Sequence, residues 1–456
     1  MKVYNRKEQF EKLAKEQQEF ITNSQELVNS LQVDNISFQE IGKEIIPVYE
    51  ENFKRLVKGQ APLKLSKRAQ KFIKHKVPFS LYRDVVSIIV KDPLYKTLVP
   101  FKVAAVDQKQ EEDTWLKVRQ HGAAFNDRTS DLYKQFVIGG SAIGNLLCRA
   151  EYPGQSKHFL KHKYQGKKFL GPINEIDPDI ALAGHRAEDY LIQWSKQLLE
   201  EQGFKVKRVA AGNEITVEHP IFTFLQANND GFVVLEDGSV NILEIKHTSS
   251  FNYKVVSDWQ EGIVPKHYLA QITHYMSTFN VDKSFIQCGW GFRPNEMAII
   301  EVDRNLNMEI NMIARALYFF IEEVLKDGAV DDNNYSVLLD DLYSIYGDSR
   351  EEVKEIKSDE LYEDVKELKS IEDKLKDMRK ENRNSLKPFE EQRDRLQAKL
   401  FEVAELADTV IIKNSKGDKE GASIKTKEST RVDTKKVRAL KDKSLLKISK
   451  NRKVKV

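Results

Sequence analysis

The chain has 456 residues, 40% hydrophobic and 31% charged, with a net charge of only +3. That length buries a sizeable core in about two to four domains, the charge exceeds the ~25% usual for globular chains and calls for solvated helices or tails, and the even balance excludes a globally basic nucleic-acid binder. Two cysteines, Cys148 and Cys288, exclude a disulfide framework; with no signal-like opening and no apolar run near the ~18 residues of a membrane span, a soluble cytoplasmic protein is expected.

Residues 1–109 read as a helical region. Phe10, Leu13, Phe20, Leu27 and Leu31 recur among Lys, Glu and Gln as on an amphipathic helix. Pro47, Pro62, Pro78, Pro93 and Pro100 are expected to cut the rest into shorter pieces. Between Lys54 and Lys76 basic residues dominate, which suits either a phosphate-contacting face or a solvated one.

From Trp115 the pattern changes. Arg119, four residues on, is either a phosphate fork or a cover over the core. Gly139-Gly140-Ser141 opens a short apolar helix. Glycines there let backbone N–H groups approach an anion, and Ser141 is equally a natural N-cap. Over residues 184–199, Ala187, Leu191, Trp194 and Leu198 line one helix face, with Glu188 at its border. Such a carboxylate serves as a salt-bridge partner or as part of a polar site.

The stretch NNDGFVVLEDGSVNILEIK, residues 228–246, reads as two strands joined at Asp237-Gly238. Folding about that turn brings Asp230 beside the Glu244–Lys246 end, and Glu244 and Lys246, two apart on one strand, share a face. Two carboxylates so placed suit a hard divalent cation. The lysine suits a water or phosphate next to it. Asp-Gly followed by Glu-x-Lys on adjoining strands is the signature of PD-(D/E)xK nucleases; the plain alternative is a surface hairpin with a solvated charge pair.

Pro265 then precedes a helix with Tyr268, Gln271, Ile272 and Tyr275 on one side, where Gln271 is a water-binding group or an ordinary polar residue. SFIQCGWGF and MAIIEV continue the sheet, and INMIARALYFFIEEVL packs over it. Leu361, Val365, Leu368, Ile371, Leu375 and Met378, then Phe389, Leu396, Leu400 and Val403, form two seams of a helical hairpin. From Lys413 to the end sixteen Lys and Arg face five Asp and Glu. That block is a nucleic-acid or assembly element or a solubilising tail, and the alternation in ASIKTK and LLKISKNRKVKV allows short β-structure.

Taken in order, IGGSAIG, GHRAEDYL, NNDGFVVL, ILEIKHT, DWQEGIVPKHYLAQITHYM and the tail ending SKNRKVKV resemble the YqaJ-like viral recombinases, phage alkaline exonucleases of the lambda-exonuclease type. The resemblance implies an α/β (α+β) fold: a PD-(D/E)xK core with a mixed central sheet flanked by helices over residues 110–335. Around it would lie the helical region 1–109, a helical hairpin over 336–410 and the basic tail 411–456. It implies Asp230, Glu244 and the Ile245 carbonyl as metal ligands with Glu188 near them, two Mg²⁺ ions (or Mn²⁺) per site, Lys246 and Gln271 on the hydrolytic water, and Arg119 and Ser141 on a terminal phosphate. The activity implied is removal of nucleotides from 5′ ends of linear double-stranded DNA, leaving 3′ overhangs for a single-strand annealing partner, in a trimeric ring. A related PD-(D/E)xK endonuclease or RecB-like repair nuclease, or a non-catalytic DNA-binding or assembly protein on the same scaffold, are the competing readings. The interval from Arg119 to Gly139 is longer than the family's usual join, and residues 1–109 have no counterpart in the lambda enzyme.

Overall fold

The structure, a computed structural model, describes residues 6–98, 103–105, 137–148, 150, 153–173, 178–212, 215–332, 334–348, 350–378, 387–405, 407–413, 416, 419–432 and 446–455. Four helices open the chain: α1 (Arg6–Asn29), α2 (Phe38–Val57), α3 (Lys67–Lys74) and α4 (Phe79–Lys91). A short strand β1 (Val103–Ala105) precedes α5 (Gly140–Leu147), α6 (Lys157–Tyr164) and α7 (Pro178–Glu201). Then come β2 (Val206–Ala211), β3 (Ile215–Glu218), β4 (Gln226–Ala227), β5 (Gly231–Leu235), β6 (Val240–His247), α8 (Tyr253–Gln260), α9 (Lys266–Phe279), β7 (Lys283–Gly289) and β8 (Met297–Asp303). The chain continues through α10 (Leu306–Tyr318), α11 (Tyr335–Tyr346), β9 (Arg350–Lys357), α12 (Asp359–Met378), α13 (Lys387–Ala404), β10 (Ala407–Lys413), β11 (Lys419–Val432) and β12 (Leu446–Lys455).

The central sheet has the order β2-β5-β6-β7-β8. It is mixed: β6 and β7 run parallel, and the other neighbours are antiparallel. Helices flank both faces, as expected. On one face Leu191 and Leu199 of α7 pack with Val233, Leu243, Ile245 and Phe285. On the other, Ile272, Tyr275 and Met276 of α9 pack with Ile242, Ile286 and Cys288. The alternation of β6 therefore puts Glu244 and Lys246 on the α9 side, in step with Ile242. A parallel pair buried on both faces reads as a near-continuous apolar run, and a carboxylate and an ammonium within it are conspicuous.

The N-terminal helices share one core with α10 and its continuation: Ile41, Ile45, Tyr82 and Val86 lie in the same cluster as Phe319, Phe320 and Ile321. Polar ties cross it. The Tyr82 hydroxyl donates to Glu322 at 2.8 Å, Lys326 donates to the same oxygen at 2.7 Å, and Tyr95 donates to Glu309 at 2.7 Å. Residues Phe319–Leu325 form a π-helical turn on the end of α10.

Pro47 does not cut the chain; it lies inside α2. A mid-helix proline costs roughly 3 kcal/mol through its missing N–H and ring clash. The stripe Ile41, Ile45, Ile46, Tyr49 and Phe53, all buried, carries the helix across it. Within the basic run, Lys54, Arg55, Arg68 and Lys71 pair with Glu50, Glu51, Glu40 and Asp34.

Helices α12 and α13 pack together through Val365, Leu368, Leu396 and Leu400, in one cluster with Val410 and Ile412. Beside them stands a four-stranded sheet of order β12-β11-β10-β9. Part of the tail is therefore strand. Strand β9, REEVKEIK, has a composition that suggests a solvated helix; its conformation comes from parallel pairing with β10.

Candidate active site

The hairpin turns where the sequence places the turn. Gly238 takes φ +87°, a left-handed conformation that glycine adopts without strain. The Ser239 N–H bonds the Asp237 carboxylate at 2.8 Å. Gly231 pairs with Leu243, so Asp230, one step before the strand, comes level with Glu244. The Asp230 carboxylate is pinned there by the Ile245 N–H, which donates to Oδ2 at 2.8 Å. Asp230 is 8% exposed and Glu244 2%.

Glu244 Oε1 is the hub of the site. It forms a close ion pair with Lys246 Nζ and accepts from Gln271 Nε2 at 2.7 Å. The same amide nitrogen donates to the Tyr275 hydroxyl at 2.8 Å. Lys246 Nζ also lies 5.1 Å from the centre of the Tyr268 ring. Burial works against the charge on Lys246, but the Glu244 and Asp230 carboxylates outweigh it and raise the ammonium above its ordinary range. The Asp230 and Glu244 carboxylates are hard oxygen donors, both buried, at one end of the interior strands β5 and β6, and they fit a divalent ion of the Mg²⁺ type.

Helix α5 closes one side. Gly140 and Gly144, four apart, face α9: a Cβ on Gly140 would stand 2.7 Å from Gln271 Cγ and 2.6 Å from the Tyr275 ring, and one on Gly144 would stand 3.0 Å from the His267 carbonyl oxygen. Only glycines allow this approach. The N-cap of α5 is Gly139, so Ser141 is not the cap; it lies exposed in the first turn, one residue from the glycine that touches Gln271.

Glu188 is carried by α7, on the other face of the sheet. Leu191 and Ile192, three and four residues later, approach Gly289 and Gly231 at the strand ends, which puts Glu188 one turn nearer the sheet margin. Among the described residues no three acidic, histidine or cysteine side chains are gathered to hold a metal, so Glu188 is not clustered with Asp230 and Glu244 as the side chains stand. Arg119 lies outside the described residues. Sequence set Tyr268 and Tyr275 on the side of Gln271 without a role in the site, and read Gly140 for an anion rather than for close packing on Gln271. Their signals were the four-residue step from Gln271 to Tyr275 and the paired glycines of GSAIG.

A five-stranded mixed sheet flanked by helices on both faces, with a carboxylate pair and a lysine on adjoining strands, is the fold of the PD-(D/E)xK class. Residues 114–282 match the model of the YqaJ-like viral recombinase domain. The match takes in Ser141, Glu188, Asp230, Glu244, Lys246 and Gln271. Among solved structures, the alkaline exonuclease LHK-Exo from Laribacter hongkongensis, in complex with dAMP, is 15% identical, with a TM-score of 0.32 over 46% of this chain and 95% of that one. A second LHK-Exo structure gives the same identity and TM-score over 47% and 95%. A phage-related exonuclease from Haemophilus somnus 129PT is 12% identical, with a TM-score of 0.29 over 41% and 94%. No curated protein matches the sequence.

Proposed function

We propose that the chain is a divalent-metal-dependent nuclease that degrades linear double-stranded DNA from its 5′ ends, leaving 3′ single strands for recombination by annealing. The observation that carries this reading is the convergence of Asp230, Glu244, Lys246 and Gln271 on one oxygen cluster, inside a domain of a viral recombinase family.

Asp230, Glu244 and the Ile245 carbonyl would hold Mg²⁺ or Mn²⁺, and Glu188 would take part through water. When bound, the ion supplies Lewis-acid polarisation of the phosphate and acidifies a water. The protein's own groups do the rest. The Ile245 N–H fixes the Asp230 carboxylate. Gln271 and Tyr275 fix the Glu244 rotamer. Lys246, kept cationic by its two carboxylates, orients the water and stabilises charge developing on the phosphate. Ser141 and Arg119 are proposed for the terminal phosphate, and the trimeric ring and annealing partner remain part of the same reading.

The test is end-labelled linear duplex, with and without a 5′ phosphate, beside closed circular duplex, each with Mg²⁺ and with chelator. Mononucleotide release from the 5′ label, confined to linear DNA and to Mg²⁺, is expected. Cutting of the closed circle at a comparable rate would replace this reading with an endonuclease, and no hydrolysis of any substrate would remove it.

A further inference from the structure

Three aromatic side chains stand in solvent where few should. Phe251 is 82% exposed, Tyr253 77% and Phe292 72%. Scattered apolar surface is ordinary, but three large rings gathered at one end of a domain mark an interaction site. They occupy one end of the fold. β6 and β7 are parallel, with Lys246 level with Cys288 and His247 with Gly289. Phe251 follows the carboxyl end of β6 by four residues, and Phe292 follows that of β7 by three. Both loops therefore leave the sheet at the end where Asp230, Glu244 and Lys246 meet.

Phe292 is held firmly rather than left loose. Its N–H donates to Glu296 at 3.0 Å, its carbonyl accepts from the Tyr190 hydroxyl at 2.5 Å, and its ring meets the Tyr190 ring edge-on at 5.7 Å. Tyr253 opens α8, which Trp259 anchors in the core. Phe251 sits in a turn closed by the Asn252 N–H on the Ser249 carbonyl at 2.9 Å. Exposed basic residues adjoin the rings: Lys254 beside Tyr253 and Arg293 beside Phe292. Aromatic faces interleaved with cations are what single-stranded nucleic acid requires, rings for the bases and charges for the backbone. A preformed, rigid ring also loses little entropy on binding.

We infer that Phe251, Tyr253 and Phe292 form a stacking platform for unpaired nucleobases of DNA beside the hydrolytic site. This rests on the nuclease reading for the identity of the ligand, but the platform itself is tested by binding alone.

The experiment measures the affinity of the full-length protein for a fluorescent oligo-dT and for a relaxed closed circular duplex without unpaired bases, both in Ca²⁺. Hydrolysis of linear duplex in Mg²⁺ is assayed in parallel. Phe292→Ala and the pair Phe251→Ala/Tyr253→Ala should each weaken oligo-dT binding about tenfold or more and leave closed-circle binding within about twofold. Phe292→Trp should restore oligo-dT affinity and Phe292→Leu should not, which separates stacking from mere apolar contact. Thermal unfolding of each variant verifies folding. Oligo-dT affinity unchanged in the alanine variants, or absent in the parent, overturns the platform even if hydrolysis is normal. Loss of self-association in the variants with unchanged oligo-dT affinity also overturns it, by assigning the rings to contacts between copies. A parent that stacks oligo-dT through these rings yet hydrolyses no DNA leaves the platform standing and removes the nuclease reading.

Discussion

Gly140 lies so close to Gln271 that a methyl group on the glycine would come within 2.7 Å of the glutamine Cγ. The glutamine in turn donates to Glu244, so one missing side chain in α5 sets the position of an amide in α9 and a carboxylate in β6. Gly140→Ala should push the helices apart at an overpacking cost of about 1–3 kcal/mol. It should also lower turnover roughly 10–100-fold, because a misplacement near 1 Å at a reacting centre costs that much. Ser141→Ala, next door and without the clash, should leave stability unchanged. Normal turnover in a folded Gly140→Ala protein would detach α5 from the chemistry.

Removing either carboxylate should empty the metal site while sparing the fold. Asp230→Asn retains an oxygen for the Ile245 N–H, and Glu244→Gln retains one for Gln271. Each should keep metal-free stability within about 1 kcal/mol, since a buried charge is lost along with its attraction to Lys246. Each should lose the rise in melting temperature that Mg²⁺ or Mn²⁺ gives the parent, and hydrolysis should fall on the order of 10³-fold. Calorimetric titration with Mn²⁺ together with single-turnover assays checks both halves.

Lys246→Ala should separate binding from chemistry. Without the ammonium, Glu244 and Asp230 lose the cation that pairs with them, so Mn²⁺ should bind at least as tightly as in the parent. Hydrolysis should still be lost, because charge on the phosphate would go uncompensated. Weaker Mn²⁺ binding in this variant would show that the lysine organises the ligands instead.

A pH dependence follows from His158. Its Nδ1 lies 2.6 Å from Asp332 and its Nε2 3.1 Å from Glu402, linking α6 to Asp332 and to α13. Burial pushes His158 down, but the bonds to Asp332 and Glu402 raise it from an ordinary 6.5 to about 9. A raised pKa stabilises the fold fully below about 6.5 and loses that contribution as pH climbs through 9. With Glu402 half exposed, about 2–3 kcal/mol is at stake. Unfolding free energy should fall between pH 6.5 and 9, and His158→Gln should flatten that slope. Asp341, raised to about 6 by burial, contributes a separate slope in the range below.

The tail can be tested without deleting it. In the β11–β12 pairing, Ser423, Lys425, Lys427, Ser429 and Arg431 stand opposite Lys455, Lys453, Asn451, Ser449 and Lys447. These ten paired positions carry six cations and no acid. Truncation after Ile412 would also strip β11 from β10 and expose an edge, so charge removal is the cleaner change. Lys425, Lys427, Lys453 and Lys455→Gln together should weaken duplex binding and reduce its log–log salt slope by up to about 3. Chemistry on a bound end should be unaffected. An unchanged salt series would make the tail a purely structural strand pair.

What the sequence revealed and what it concealed have physical reasons. The Asp230–Glu244 juxtaposition was readable because Asp237-Gly238 admits few turns and a strand repeats every two residues. Gln271 was readable as a position but not as a partner: its bond to Glu244 depends on how α9 crosses the sheet, which no local pattern specifies. Pro47 misled because a local breaking preference yielded to a long buried stripe. β9 was missed because a charged strand acquires its conformation from a neighbour more than fifty residues away. The union of α2 and α4 with α10 was hidden for the same reason, being a contact of long sequence separation.

That union bears on how this chain compares with shorter ones. Phe319, Phe320 and Ile321 are wholly buried against the N-terminal helices, and Lys326, with no exposed side-chain surface, is neutralised by Glu322. A protein with the same central sheet but no opening helices would present those positions to water. Its counterpart of α10 must therefore carry polar residues there, or another chain must cover it. Residues 319–326 thus work as a marker: their hydrophobicity in a related sequence forecasts a helical cap upstream, before any alignment of the cap itself is attempted.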